Sequence, residues 1–380
     1  MDDTDKVQIF WRDAVDNGLT VLPPDVNQSV FRFEPVIDEY AARGEPPRTI
    51  RYGLGAVKGT GQGAVEEILR TREEGGPFVD LYDFCKRVDR HSVNRRTMEA
   101  LIRAGAFDTI DANRSALLGA LAHAIDAADQ AEKSANQVSL FGDDSSTIVQ
   151  HEMGKVKPWS LHAQLIEEKN ALGFFFSHHL FEVWRDEVRR FIPGTLAKLQ
   201  ESRDLQWIAG VLIGIRSFTL KQETKSGENR LYFLLVDDGT AQIEVLCPSS
   251  VYETHRHRLK TDQLLIAQIK VKTNKFTGVL RISVENLYDL QLAREEKARS
   301  LQISLNKEVS VTSLKALLNP YRAEPENGVP GVRVQLNLQS PKGFRCEVVL
   351  GEEWRVRMAD TLFEKIETTK QYGEFEVIYE

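Results

Sequence analysis

Cysteine is scarce. Cys85, Cys247 and Cys346 are the only three in 380 residues, far apart and odd in number. Such a set excludes a disulfide framework and lacks the paired spacing of a zinc site, which points to a reducing cytoplasm. Long apolar runs are missing as well. Nothing approaches the roughly 20 residues that cross a bilayer, and the opening MDDTDKVQIFWRD is acidic, unlike a secretory leader. No membrane partner is expected. Nor is positive charge in excess: the formal net charge is -7. Contact with nucleic acid must therefore come from local basic patches rather than the whole surface.

What is present is ordinary for a folded chain, with 42% hydrophobic and 28% charged residues. The length predicts two to four domains. Val7 to Asp16 reads as an amphipathic helix stopped by Asn17-Gly18, followed by a short strand at Leu19–Leu22 and a rigid Pro23-Pro24 turn. From Ile50 the chain becomes dense in glycine. Glycine permits positive φ and close backbone approach, and a helix that starts after such a turn offers unpaired N–H groups to an anion. A P-loop is excluded, because no Gly-Lys-Ser/Thr closes the run. A dinucleotide fingerprint is excluded too, because no strand-helix-strand unit surrounds Gly59 and Gly61.

Val57-Lys58-Gly59-Thr60-Gly61, with Gly63 just beyond, instead looks like the hairpin of a helix-hairpin-helix motif gripping a DNA phosphate by backbone amides. Leu101-Ile102-Arg103-Ala104-Gly105-Ala106-Phe107-Asp108 resembles the second hairpin of a tandem pair. Lys58, Arg70, Arg72, Arg95, Arg96 and Arg103 are candidates for further phosphates. The alternative is that these glycines only make tight turns and the arginines form a solvated face.

An alanine-rich helix is predicted over Ser115–Ser134. Gln137-Val138-Ser139-Leu140-Phe141 follows, in a polar stretch without periodicity up to about Leu161. Burying Leu140 and Phe141 is worth roughly 2 kcal/mol each, so these side chains call for a partner. Either they pack on their own domain or they form a short peptide for a groove on another protein.

From about Leu205 the period becomes two. Strands are predicted at Trp207–Ser217, Arg230–Asp237, Ala241–Cys247, Gln263–Thr273 and Gly278–Leu287, with a hairpin at Asp238-Gly239 and a helix within Val251–Lys260. Five strands with that helix placement resemble an OB-fold, whose first-to-second and fourth-to-fifth loops often bind single strands. Lys221, Lys225, Lys275 and Phe276 lie on those loops and are the single-stranded DNA candidates. Residues 301–380 read as a further α+β unit with an acidic end. The fold class expected is therefore α+β multidomain: a helix-hairpin-helix region, a five-stranded OB-fold β-barrel and a small C-terminal α+β domain.

The order Leu22-Pro23-Pro24-Asp25-Val26-Asn27, Gly53–Gly59, Asn94-Arg95-Arg96, Gly105–Asp108, Gln137–Phe141, Glu168-Lys169 with Leu172-Gly173-Phe174, then a barrel, resembles the C-terminal part of bacterial DNA polymerase III alpha subunits. The resemblance covers essentially the whole chain. It implies the end of a fingers domain (1–50), a duplex-binding helix-hairpin-helix region (51–135) and a linker with a clamp-binding peptide (136–160). A helical connector (161–204), an OB-fold domain (205–292) and a domain binding the tau subunit of the clamp loader (293–380) complete it. Gln137, Leu140 and Phe141 match the peptide that docks on the beta sliding clamp in that family. After the phenylalanines this chain has Ser177-His178-His179-Leu180 where the family usually has Ser-Gly-His-Pro. The catalytic palm and its magnesium-binding aspartates lie upstream in such proteins. No metal, cofactor or catalytic residue is expected in this segment, which should not polymerise by itself. The rival readings are an error-prone paralogue, which generally lacks its own clamp peptide, and a DNA-binding scaffold without a polymerase.

Overall fold

The structure is a computed structural model that describes residues 4–136, 156–219, 230–275, 277–305, 309–323, 331–339, 345–369 and 372–379. The chain divides into two compact units, residues 1–180 and 181–380.

The first unit is mostly helical. It comprises α1 (Thr4–Asp16), β1 (Thr20–Leu22), β2 (Glu34–Val36), α2 (Glu39–Ala42), β3 (Thr49–Arg51), α3 (Gln62–Gly75), α4 (Leu81–Arg87), α5 (Arg95–Arg103), α6 (Arg114–Asn136) and α7 (Leu161–Leu172). Helix stops and starts follow the local chemistry. Gly18, at φ 79°, ends the turn after α1. Asp80, Asn94 and Ser160 each accept a hydrogen bond from a backbone N–H in the first turn of α4, α5 and α7. The three short strands form one sheet in the order β1-β3-β2.

A single core runs from Val26 through Tyr52, Ile68, Phe84, Leu101 and Leu117 to Phe174. It crosses the position near residue 50 where composition changes, and it takes in α7 from beyond the linker. Residues 18–52 are thus packed against the helices that follow them. Phe174 is buried with its ring tilted against Trp11, centroids 5.1 Å apart.

The second unit begins with α8 (Glu182–Phe191) and continues with β4 (Gln206–Thr219), β5 (Arg230–Asp237), β6 (Gln242–Cys247), α9 (Ser249–His255), β7 (Gln263–Thr273) and β8 (Leu280–Tyr288). These five strands close a barrel in the order β4-β5-β6-β8-β7. That order, with a helix between the third and fourth strands, is the OB-fold. Inward side chains such as Ile208, Leu234, Val245, Ile269 and Val284 alternate with outward ones and fill it. Then come α10 (Leu290–Lys297), β9 (Ala298–Leu305), α11 (Val311–Leu318), β10 (Arg333–Gln339), β11 (Arg345–Val349), α12 (Asp360–Thr368) and β12 (Tyr372–Tyr379). The last four strands form a sheet ordered β11-β10-β9-β12, in which β9 and β10 are parallel. The fold is α+β and multidomain, as read from the sequence.

Within this unit Arg294 of α10 is buried, and its guanidinium meets Glu187 of α8, Asp360 of α12 and the Met358 carbonyl. Burial alone would lower its affinity for the proton, but the two carboxylates outweigh that and push its pKa up. A buried arginine carrying two carboxylates ties α8 and the start of α12 to α10.

Candidate nucleic-acid interface

The hairpin at 57–63 sorts its glycines into two kinds. A Cβ on Gly53 would strike the Arg32 backbone, and one on Gly55 would strike the Phe31 ring. These two glycines therefore serve close packing. Gly59, Gly61 and Gly63 have no atom within 4 Å of the space a Cβ would take, and all three are exposed. Only Gly59 needs to be glycine for its backbone, at φ 81°. At Gly61 and Gly63 the missing side chain simply leaves room for something to approach the backbone.

What would approach is set by the helix that follows. Gly61 is the N-cap of α3 and has no side chain to accept from the first-turn amides, and no acidic residue stands in that turn. The Thr60 amide goes to the Val57 carbonyl and the Ala64 amide to the Gly61 carbonyl, both at 3.1 Å, which leaves the Gly61, Gln62 and Gly63 amides as donors at the partly positive start of a 14-residue helix. Thr60, only 7% exposed, holds its hydroxyl there without a described hydrogen-bond partner. The hairpin itself is pinned from behind: the Lys58 N–H donates to the Ala171 carbonyl at 2.8 Å, and the Thr97 hydroxyl donates to the Gly59 carbonyl at 3.3 Å. Thr97 is in the first turn of α5, so Arg95 and Arg96 start their helix alongside the hairpin. Lys58 and Arg96 are exposed. Arg95 pairs with Glu99 at 3.0 Å but keeps 64% of its side chain exposed, so a phosphate can compete for it. The arrangement is chemically an anion site of backbone amides rimmed by cations.

The second hairpin differs from the first. Its amides are spent: Gly105 donates to Ile102, Ala106 to Leu101 and Asp108 to Gly105. Gly105 has φ 82°, and a Cβ there would collide with the Arg114 guanidinium. Arg114 is buried, with Nε and Nη2 on Asp108 at 2.8 and 2.6 Å and Nη1 on Glu168 at 3.4 Å. Arg103 is also engaged, with Glu167 at 2.8 Å and Glu99 at 3.5 Å. This turn faces a buried ion cluster and spends the Gly105, Ala106 and Asp108 amides on its own carbonyls. Arg70 and Arg72 are likewise occupied, the first by Glu67 and Glu74, the second by the Val26 and Ser29 carbonyls.

The cluster around Arg114 was not found by sequence reasoning. Glu168 is 1% exposed and accepts from the Phe176 and Ser177 amides at 2.6 and 2.7 Å, as well as from Arg114. Desolvation works against the buried Arg114 charge, yet Asp108 and Glu168 hold its pKa above the ordinary value. A glutamate on the inner face of α7, 54 residues from its partner, leaves no local signal.

On the barrel, Lys275 is exposed in the β7–β8 turn, which the Asn274 N–H closes onto the Val279 carbonyl at 2.9 Å. Lys221, Lys225 and Phe276 lie outside the described residues, as do Gln137, Val138, Ser139, Leu140 and Phe141. Both flanks of that peptide are described. The chain leaves from the end of α6 and returns where the Asn113 side chain donates to the Val156 carbonyl and the Ser115 hydroxyl to the Lys157 carbonyl. Among the described residues, no three His, Cys, Asp or Glu side chains gather as they would around a metal ion.

Hairpin and barrel define a helix-hairpin-helix protein with an OB-fold domain, and a helix-hairpin-helix motif family matches residues 18–117. DNA polymerase III subunit alpha of Neisseria meningitidis is 36% identical over 371 residues, 97% of this chain and 31% of that protein. The subunit of Pseudomonas aeruginosa is 33% identical over 392 residues, with 96% and 31% covered. That of Escherichia coli O157:H7 is 31% identical over 373 residues, with 95% and 30% covered. The chain belongs to the DNA polymerase III alpha-subunit family and corresponds to its C-terminal part. It spans about a third of the length of these curated relatives. Among solved structures it is similar to the second OB-fold domain of replication protein A from Methanococcus maripaludis, at 19% identity and a TM-score of 0.20 over 26% of this chain and 94% of that one. The assignment of the barrel rests on its own strand pairing.

Proposed function

We propose that this chain is the DNA-gripping and assembly portion of a replicative DNA polymerase acting in the bacterial cytoplasm. Duplex DNA is held through a backbone phosphate at the start of α3, by the amides of Gly59, Gly61, Gln62 and Gly63 with Lys58, Thr60, Arg95 and Arg96 around it. The observation that carries this reading is the uncapped, exposed, glycine-lined start of α3, in a motif family that matches the same residues. Gln137–Phe141 engages the beta sliding clamp, the OB barrel meets single-stranded template, and the C-terminal sheet meets the tau subunit of the clamp loader. The polymerase chemistry, with its magnesium ions, belongs to the upstream part of the longer protein. Family membership supports these assignments.

A peptide of this size gives modest affinity, about micromolar. Tethering it beside a DNA grip multiplies weak contacts into long residence, while each contact remains easy to release. Titrating labelled duplex at increasing salt tests the grip. Lys58→Ala with Arg96→Ala should lower the slope of log affinity against log salt by about 1.8, at about 0.9 per phosphate contact. A slope equal to that of the unchanged chain would remove the α3 site from duplex binding.

A further inference from the structure

The second unit holds a basic turn that the reading above leaves unused. His255-Arg256-His257-Arg258-Leu259-Lys260 joins α9 to β7, a dense cationic run in a chain of net charge -7. Its His255, His257, Arg258, Leu259 and Lys260 line a cleft of about 490 Å³, and Trp184 of α8 is on the lining too, together with Leu212, Tyr288 and Asp289. That volume is in the range of small-ligand sites.

Two cations, Arg258 and Lys260, and two carboxylates, Asp289 and Asp360, line the cleft. Its two carboxylates are already answered. Asp289 caps α10 through the Leu292 amide and pairs with Arg258 at 3.1 Å, while Asp360 pairs with the buried Arg294. The Arg258–Asp289 pair is exposed, 45% and 42%, so water screens it and a phosphate can share the guanidinium. Among the described residues Lys260 and His257 form no ion pair, and both are exposed. Partial burial, then Arg258 and His257, push the His255 imidazole down, so it adds no charge at neutral pH. The turn is held in shape by Asp262, the one described residue other than glycine with positive φ, at 62°, whose N–H donates to the Leu212 carbonyl at 2.9 Å.

A cleft lined by an indole ring and by two cations suits a nucleotide, with the base on the ring and the phosphate on the cations. We propose that this cleft is a second single-strand site, taking one nucleotide of a passing strand with its base against Trp184 and its phosphates on Arg258 and Lys260. It is separate from the β4–β5 and β7–β8 loops, and it rests on the reading of the barrel as a strand-binding domain. Two attachment points on one unit lead the strand across the barrel from its loop end past the α9–β7 turn.

Anisotropy of a dye-labelled oligothymidylate, titrated with the full chain at several salt concentrations, tests this. Trp184→Ala should weaken binding about 10-fold with the salt slope unchanged, and Trp184→Phe should restore it. Arg258→Ala with Lys260→Ala should lower the slope by about 1.4, at about 0.7 per phosphate contact on a single strand. Wild-type affinity and slope in both variants, with unchanged thermal melting, would overturn the proposal. So would thymidine monophosphate displacing the strand at equal concentration, since the cleft would then take a free nucleotide. If the unaltered chain binds neither duplex nor single strand, the functional reading fails first. Binding that ignores these substitutions removes only this site.

Discussion

The glycines at positions 63 and 105 do different work in this chain. Gly63 sits in the first turn of α3 with open space where a side chain would be, at an ordinary helical conformation. Gly63→Ala should raise stability by up to about 1 kcal/mol through helix propensity, while its methyl shields the amides and weakens duplex binding. Melting and duplex titration on one preparation check both signs. Gly105→Ala should do the opposite. It forces a left-handed alanine, costing about 1–2 kcal/mol, and drives a methyl into the Arg114 guanidinium. A thermal melt unchanged from wild type would contradict that expectation. Arg114 itself should be among the least replaceable residues of the first unit. Arg114→Met leaves Glu168 buried beside Asp108 without its counter-charge, at a cost of about 3–5 kcal/mol. Chemical denaturation reads that loss, and one below about 1 kcal/mol would show that Glu168 does not need the guanidinium.

The elements were mostly legible. The five barrel strands lie within two residues of where alternation places them, because each has one face toward a filled interior and one toward solvent or a covering helix. The β5–β6 hairpin was marked by Asp238-Gly239, and Gly239 does take positive φ, 79°. What the dipeptide did not tell is why the aspartate is there. Asp238 is fully buried, accepting from the Leu196 and Thr240 amides, the Thr240 hydroxyl and the Arg189 guanidinium. Burial opposes its charge, yet these donors hold its carboxyl below the ordinary value. A carboxyl depressed on folding stabilises the protein above its unfolded pKa of about 3.9 and loses that contribution as pH falls through the folded value. Asp238→Asn should therefore cost about 3 kcal/mol at pH 7, and the gap to wild type should narrow below about pH 4. Stability curves at the two pH values check this, and a gap that does not change with pH would refute it.

At the scale of the whole molecule, the peptide Gln137–Phe141 is carried between two fixed points. The 23-residue α6 is about 34 Å long. The chain leaves one end of it and is hydrogen-bonded again beside the other, at Asn113 and Ser115. Nineteen residues, 137–155, join those points. Extended, they reach about 60 Å, roughly twice the distance needed. Gln137→Ala with Leu140→Ala and Phe141→Ala should abolish binding to the sliding clamp and leave the melting temperature unchanged. Clamp affinity equal to wild type in that variant, by surface plasmon resonance, would assign clamp contact elsewhere.

Local pattern by itself determined the alanine-rich helix α6, the alternation through the barrel with its Asp238-Gly239 hairpin, and the glycine-rich turn before α3. Those signals are written within a few residues, because turns and periodicity are short-range physics. Only the tertiary structure decided which of the two hairpins is open. Both have the same glycine-bearing look, but Arg114 and Glu168 fill the second from other parts of the chain, whereas nothing described fills the first. It also decided which arginines are free, since Arg96 and Arg103 share one helix and only the second finds a carboxylate across from α7. Whether a charge is spent depends on what the fold brings beside it, and that partner need not be near in sequence.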